Sequence, residues 1–173
     1  MKKFSTFIIL LIGIIISAQV PKFVKYPIAD TGAQFYFPAE PKWQKSISED
    51  KSEIYITTSV IGDVEYGIIV VKLAEEAVKG NENPEALMVN YVNYLNENVF
   101  KFTKKTDFGK GHTLENQPNV KGILEYAETE DSTKYTVKSW TNKSMIAVMY
   151  MGSKKDVNNN FQEIYFKGIR FNQ

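Results

Sequence analysis

The longest apolar stretch of the chain lies at its amino end, where residues 7–16 follow the basic pair Lys2 and Lys3. A basic start, an apolar run of this length and the small residues Ser17-Ala18 are typical of a secretory signal peptide. A membrane-spanning helix needs roughly 20 apolar residues, about twice this run. We therefore predict that residues 1–18 are a cleaved signal peptide, with an uncleaved membrane anchor as the less favoured alternative.

The first strand signal after the leader is the aromatic segment 33–37, which predicts a short strand. Pro38 and Pro41 stop it, because proline fits neither a helix interior nor a central strand. The mixed segment 19–31 is predicted to be an extended lead-in, and the polar segment 45–51 is predicted to be a loop.

A β-hairpin is predicted over residues 52–73. Ile54, Ile56 and Thr58 alternate with other side chains, which favours a strand with one buried face. Turn residues at Gly62-Asp63 follow. The nearly continuous apolar run after them is typical of an inner strand covered on both faces.

A long amphipathic helix is predicted next. Asn83 is a suitable N-cap and Pro84 fits the first helical position. Apolar residues then recur at spacings of three and four, which predicts one buried side. The residues on that side are Leu87, Met88, Tyr91, Val92, Leu95 and Val99.

The second half of the chain predicts several more strands. A weak strand signal spans 106–114, where Gly109 and Gly111 argue against regular pairing. Three clearer runs, at 120–129, 134–140 and 145–151, are separated by short polar turns. That spacing is typical of an antiparallel meander.

The last segment predicts a short helix followed by an edge strand. Asp156 is a suitable N-cap, and Val157, Phe161 and Ile164 repeat at helical spacing after it. Residues 169–171 predict the strand.

The order strands, helix, strands, helix, strand favours one α+β domain over residues 19–173. Its sheet should be mainly antiparallel, because most connections are short, and it should be covered by one long and one short helix. The 155 residues that remain after the leader are an ordinary size for one domain.

Composition excludes several classes of function. The formal charge is +1, and loss of Lys2 and Lys3 lowers it to −1, so no basic field is available for nucleic acid. The chain has no Cys, which excludes thiol catalysis, Cys-ligated zinc and iron–sulfur clusters. We expect no nucleic-acid partner, no cofactor, no metal site and no membrane span after the leader is removed.

Several predicted elements together resemble a known fold group. They are an aromatic strand ended by Phe37-Pro38-Ala39-Glu40-Pro41, a hairpin, a long helix, a meander, and a short helix running into Lys167-Gly168-Ile169-Arg170-Phe171. This pattern is similar to the fold shared by the PsbP extrinsic subunit of photosystem II and a Ran-binding nuclear import factor, which is also found in small exported bacterial proteins. The resemblance implies a PsbP-like sandwich and a non-catalytic role in docking to protein partners. It carries over no binding residue.

Proton-transfer chemistry has one candidate region. His112 is the only histidine, and a hydrolase or lyase would need it to approach carboxylates. A histidine without a role, and acids paired across strands with Lys134 and Lys138 on a solvated face, are the favoured interpretation. The acids predicted to pair in this way are Glu125, Glu128, Glu130 and Asp131, whereas Asp107 and Glu115 are the carboxylates nearest to His112 in sequence. We therefore predict no catalytic residue.

Trp43, Trp140 and His112 are the candidate interaction residues. Trp43 follows a proline turn and Trp140 ends a predicted strand, so either could be a contact residue at a rim, although core packing is the default for both. We expect a non-catalytic interaction or ligand-binding module of the bacterial cell envelope, periplasmic or secreted. It would bind an envelope protein or a small ligand, as a monomer or weak dimer. The alternatives are the hydrolase or lyase above and a carrier that holds an apolar ligand between helix and sheet.

Overall fold

A computed structural model describes residues 20–107 and 109–172, without the side chains of Thr106 and Asp107. The predicted signal peptide lies outside the described residues and stays a prediction. No helix in the described ranges is long and apolar enough to cross a membrane.

The described chain forms ten strands, three α-helices and one π-helical turn. In chain order they are β1 Val24–Pro27, β2 Gln34–Phe37, β3 Gln44–Ile47, β4 Glu53–Ile61, β5 Val64–Lys72, α1 Glu75–Gly80, α2 Pro84–Leu95, the π-helical turn Asn96–Phe100, β6 Lys104–Asp107, β7 His112–Leu114, β8 Gln117–Glu128, β9 Lys134–Asn142, β10 Met145–Ser153 and α3 Asn159–Lys167.

Eight of these strands form one antiparallel sheet in the order β3-β4-β5-β10-β9-β8-β6, with β7 also paired to β8. The predicted hairpin is β4-β5 and the predicted meander is β8-β9-β10. Strands β1 and β2 form a separate two-stranded sheet. The α+β class and the mainly antiparallel sheet are therefore confirmed.

The large sheet buries an apolar layer on each face. On one face, called the α2 face, Met88 and Val92 of α2 pack over the sheet. On the other, called the α3 face, the β1-β2 hairpin contributes Phe35 and Phe37, and α3 contributes Tyr165. Because both faces are covered, the middle strands are apolar on both sides, which explains the continuous apolar run of β5.

Helix α2 begins where the sequence predicts. The Asn83 side-chain oxygen accepts a hydrogen bond from the backbone N–H of Ala86 at 3.0 Å, and Pro84 occupies the first turn. The prediction that Val99 lies on the buried side is wrong, since Val99 is 55% exposed. The chain leaves α2 through the π-helical turn, which has more residues per turn than an α-helix. This change of period places Asn96 inward and Val99 outward.

Two segments predicted to be irregular contain strands. Strand β3 lies largely within the predicted loop 45–51, and β1 lies within the predicted lead-in 19–31. All four side chains of β3 are exposed. An edge strand with both faces in solvent has no apolar alternation, so the sequence pattern could not mark it.

The segment 106–114, predicted as one weak strand, contributes to two separate strands in the structure. Strand β6 ends at Asp107 and β7 begins at His112. Gly109 and Gly111 between them have φ of 93° and 75°, a left-handed backbone that interrupts pairing. Helix α1 was not predicted from the sequence.

The start of α3 differs from the prediction. The side chain of Asn158, not of Asp156, caps the helix by accepting a hydrogen bond from the backbone N–H of Asn160 at 2.9 Å. Asp156 instead pairs with Lys134 at 3.3 Å. The later N-cap changes which side chains face the sheet.

The end of the chain also differs from the prediction. Ile164 is 46% exposed, whereas Tyr165 and Phe166 are buried. Residues 169–171 make a single bridge, between Arg170 and Gln34, and not an edge strand.

Candidate ligand groove beside strand β8

A groove opens on the α3 face because α3 is held away from the edge of the sheet. The Tyr165 hydroxyl donates to the Gly67 carbonyl at 2.6 Å, and Trp140 Nε1 donates to the Phe166 carbonyl at 2.8 Å. These bonds fix α3 over β5 and β9. Strand β8, next to β9, stays partly uncovered, and Tyr126 on it is 41% exposed.

The groove beside β8, called the β8 groove, has a volume of about 390 Å³. Its floor comes from three adjacent strands, since Thr136 of β9 pairs with Tyr126 of β8 and with Met151 of β10. Val157 and Gln162 close it on the α3 side. A bound ligand would therefore contact an aromatic ring and a thioether, which suits an apolar side chain.

Four lysines line this groove. Lys105 is held by Glu125, and each of the other three has between 64% and 75% of its side chain exposed. Each pairs with a carboxylate of the chain itself. Exposed ion pairs of this kind contribute only about 0–1 kcal/mol, so carboxylates of a ligand can replace them at small cost. The pairs are Lys104–Glu128 at 3.1 Å, Lys134–Asp156 at 3.3 Å and Lys155–Asp63 at 2.5 Å.

A further lysine, Lys138, follows the lining residue Thr136 on β9 and is buried, with 6% of the residue exposed. It is two residues from Thr136 on the same face of β9, and it is paired with Leu124 of β8. Its ammonium makes no hydrogen bond or ion pair with the described residues. The ammonium makes a cation–π contact with the Trp140 ring, whose centroid lies 4.5 Å from Lys138 Nζ.

Burial lowers the pKa of Lys138. Loss of hydration disfavours the charged form, and the positive charge of Lys167 adds to this effect, so the pKa of Lys138 falls from 10.5 to about 8. The side chain is therefore mostly charged at neutral pH and still lacks a counterion among the residues described.

His112 and Glu125 do not come together. His112 is paired with Gly122 on β8, three residues before Glu125. Successive side chains alternate between the faces of a strand, so His112 projects on the α3 face and Glu125 on the α2 face. Among described side chains, His112 has no hydrogen-bond or ion-pair partner. The side chain of Asp107, one of the acids near it in sequence, lies outside the described part.

Glu125 is a buried structural acid and not a surface acid. It is 4% exposed, accepts a hydrogen bond from Asn96 Nδ2 at 3.0 Å, and pairs with Lys105 at 3.2 Å. Lys105 also donates to Asn93 Oδ1 at 2.9 Å. The prediction of a solvated face carrying Glu125 and Lys138 is wrong, because β8 and β9 are covered on both faces at these positions.

Asp131 in the β8–β9 turn stabilises the turn itself. The hydroxyls of Thr129 and Thr133 donate to Asp131, and Lys154 pairs with it at 3.0 Å. The Thr129 hydrogen bond, with help from Lys154, holds the pKa of Asp131 well below its usual range. The side chains that the structure describes include no group of three His, Cys, Asp or Glu residues able to hold a metal ion.

The two tryptophans have different positions. Trp140 is 2% exposed and fills the core of the α3 face, so the expectation that it could stand at a rim is not met. Trp43 is partly buried, with its ring centroid 5.6 Å from that of Phe35 and 6.4 Å from that of Tyr55. A contact role for Trp43 or for half-buried His112 stays a prediction.

Sequence reasoning missed an aromatic cluster at the end of α2. Phe100 and Phe102 stack with centroids 5.1 Å apart, because Lys101 between them has a left-handed φ of 54°. Tyr135 and Tyr150 complete the cluster. Their rings lie over strand glycines, since a Cβ on Gly152 would meet Tyr135 and one on Gly67 would meet Tyr150. The sequence signal that could have indicated this cluster is the presence of glycines inside apolar strands.

The space between α2 and the sheet is filled by side chains. Met88, Val92 and Leu95 are each at most 3% exposed there. The geometry therefore favours a ligand in the β8 groove over an apolar ligand held inside.

No family model matches the chain, and no curated protein matches its sequence. Among solved structures, the fold is similar to the solution structure of cyanobacterial PsbP (CyanoP) from Synechocystis sp. PCC 6803. The TM-score is 0.53 at 10% identity, and the match covers 90% of this chain and 96% of that one. The chain thus has a PsbP-like fold, which confirms the resemblance of the sequence pattern. At this identity the likeness shows the fold alone.

Proposed function

We propose that the protein is an exported, non-catalytic binding module of the bacterial cell envelope, and that the β8 groove holds an acidic segment of a partner protein. The observation that carries this proposal is the lysine rim over an aromatic and apolar floor. Export rests on the predicted signal peptide, residues 1–18.

The charge and shape of the groove favour an acidic peptide segment as its ligand. Lys104, Lys134 and Lys155 are exposed and only weakly held by their own partners, so they are available to carboxylates. Tyr126 on the floor offers a large and rigid contact surface of the kind enriched at protein interfaces. Complementary charge would also speed association at low ionic strength.

The arrangement of ionisable groups supports binding over catalysis. His112 and Glu125 project from opposite faces, and both Glu125 oxygens have partners within the chain. A general base must lie within hydrogen-bond reach of the proton that it takes, and Glu125 is turned away from the groove.

The proposal is tested by fluorescence anisotropy with the chain from Gln19 onward. The probe is a labelled ten-residue peptide of glutamates interspersed with leucines, and the control peptide carries glutamine at every glutamate. We expect saturable binding of the glutamate peptide that weakens at least tenfold between 50 and 300 mM salt, and no saturable binding of the glutamine peptide.

Matched lysine variants locate the binding. The double variant Lys104→Gln with Lys134→Gln removes two rim charges and should weaken peptide binding at least fivefold. Lys79→Gln is the control, because Lys79 is similarly exposed on α1, which follows the Lys72 end of β5, and it does not line the groove. Equal loss in both variants, or no binding to the unaltered protein, would contradict the proposal.

A further inference from the structure

We infer that the β8 groove selects an extended segment in which an acidic residue and an apolar residue stand two positions apart. The acidic side chain lies between Lys104 and Lys134, and the apolar side chain lies on the ring of Tyr126. The inference rests on the proposed function and names the spacing of side chains that the groove recognises.

The strand register places the cationic part and the apolar part of the groove in two separate rows. In the first row, Lys104 of β6 is paired with Glu128 of β8, and Glu128 is paired with Lys134 of β9. The second row contains Tyr126 and Thr136, which are paired with each other. Both rows lie on the α3 face, because side chains two positions apart along a strand share a face. All five residues line the groove.

Charge distinguishes the two rows. The side chains of Lys104 and Lys134 in the first row are 74% and 64% exposed. Lys155 lies at the same end of the groove, because it follows Ser153, which is paired with Lys134. The described lining side chains of the second row are uncharged and are those of Tyr126, Thr136 and Met151. A carboxylate is therefore attracted to the first row and an apolar group to the second.

The distance between the rows matches the repeat of an extended peptide. The rows are about 7 Å apart, because each strand residue advances the chain by about 3.4 Å. Alternate side chains of an extended ligand project from one side with the same spacing. A segment lying along β8 thus presents an acidic side chain to the first row and, two residues away, an apolar side chain to the second. The residue between them faces away from the floor.

The groove ends after the second row. In the next row, Lys138 is buried, and neither Lys138 nor its paired residue Leu124 lines the groove. Val157 and Gln162 close the α3 side. The volume of about 390 Å³ suits a single extended segment better than a helix, which is about 10–12 Å across with its side chains.

The opposing explanation is that the lysines attract any acidic peptide, whatever the positions of its apolar residues. Two labelled peptides of identical composition separate the explanations. The first, Glu-Ser-Leu-Ser-Glu-Ser-Leu-Ser-Glu-Ser, has every leucine two positions from a glutamate. The second, Glu-Leu-Ser-Ser-Glu-Leu-Ser-Ser-Glu-Ser, keeps the glutamates in place and moves each leucine by one position. In an extended chain this move turns the leucines to the side opposite the glutamates.

Fluorescence anisotropy with the chain from Gln19 onward measures both peptides. We expect the first peptide to bind at least fivefold more tightly than the second. Tyr126→Ala should abolish this preference, whereas Tyr126→Phe should keep it, because the ring is retained. Tyr94→Ala is the matched control and should also keep the preference, since Tyr94 is 57% exposed on α2 and does not line the groove.

The outcomes separate the spacing from the proposed function. Equal binding of the two peptides to the unaltered protein overturns the spacing and leaves the acidic-segment function standing. Tighter binding of the second peptide does the same and indicates a helical ligand, because residues three positions apart are neighbours on a helix. A preference that survives in Tyr126→Ala overturns the assignment of the apolar side chain to Tyr126. If neither peptide binds, the proposed function fails together with the spacing.

Discussion

At the scale of single residues, burial and not sequence neighbourhood decides what each ionisable group does. Glu125 and Lys138 are charged residues of adjacent strands. In the structure Glu125 faces α2 and is paired, whereas Lys138 faces the other way and no counterion for it lies among the described residues. A shift of one position along either strand would reverse these environments.

The unpaired Lys138 predicts a specific dependence of stability on pH. Its pKa is about 8 in the folded protein and 10.5 when unperturbed. Between these values the unfolded chain binds more protons than the folded one, so the free energy of unfolding rises with pH. Below pH 8 the folded protein bears the full cost of this partly desolvated charge, which solvent screening keeps below the roughly 3 kcal/mol that corresponds to a shift of this size.

Lys138→Met should therefore be more stable than the unaltered protein at pH 7 by about 1–3 kcal/mol. The difference should shrink as pH rises from 8 to 10.5, because the unaltered side chain then becomes neutral in the folded state. Urea denaturation of both proteins at several pH values measures it. A gap that stays constant across this range would show that burial of the charge is not its cause.

At the scale of elements, the interior strands and the long helix follow from local patterns, and the short edge elements do not. The alternation in β4, the apolar run in β5 and the Asn83-Pro84 start of α2 are all where the sequence indicates. Strand β3 has four exposed side chains, so nothing in its composition separates it from a loop. Pairing with β4, which is not local, makes it a strand.

Glycines within the sheet show how closely the elements fit. A Cβ on Gly122 of β8 would lie 2.3 Å from Trp140 Cε3 and 3.0 Å from the Ser139 carbonyl oxygen. Trp140 cannot easily retreat, because it is buried and bonded to Phe166. The absent side chain at Gly122 is therefore what allows the indole to lie flat on the neighbouring strand.

Gly122→Ala should destabilise the protein by about 1–3 kcal/mol, the usual effect of overpacking a core. Gly80→Ala is the matched control, since a Cβ at that position meets no described atom within 4 Å apart from its own helix and chain neighbours, and it should leave stability unchanged or raise it by up to about 1 kcal/mol. Urea denaturation measures the stability of both variants, and we expect the m-values to be unchanged. Equal stability of the two variants would contradict the packing argument.

At the scale of the whole molecule, one sheet with unequal cover on its two faces creates the groove. Helix α2 lies over one face, while α3 and the β1-β2 hairpin cover the other as far as β9. The uncovered strip beside β8 brings together residues that are distant in sequence, such as Lys104, Tyr126 and Lys155.

The whole chain also carries a prediction about processing. If residues 1–18 are a signal peptide, the protein recovered from the cell envelope begins at Gln19, and its intact mass lacks the leader. Mass spectrometry of protein expressed with its own leader measures this. Recovery of the full-length chain with Met1 from the cytosol would contradict export.

The sequence by itself determined the α+β class, the β4-β5 hairpin, the β8-β9-β10 meander and the start of α2. These depend on interactions between residues close in the chain, which leave a periodic pattern of side chains. Only the tertiary structure decided that Trp140 is core, that Val99 is exposed and that His112 and Glu125 face apart. It also decided that Lys138 is buried and has no ion-pair partner among the residues that the structure describes. Each of these depends on which element covers which face, and contacts between segments distant in sequence set that cover.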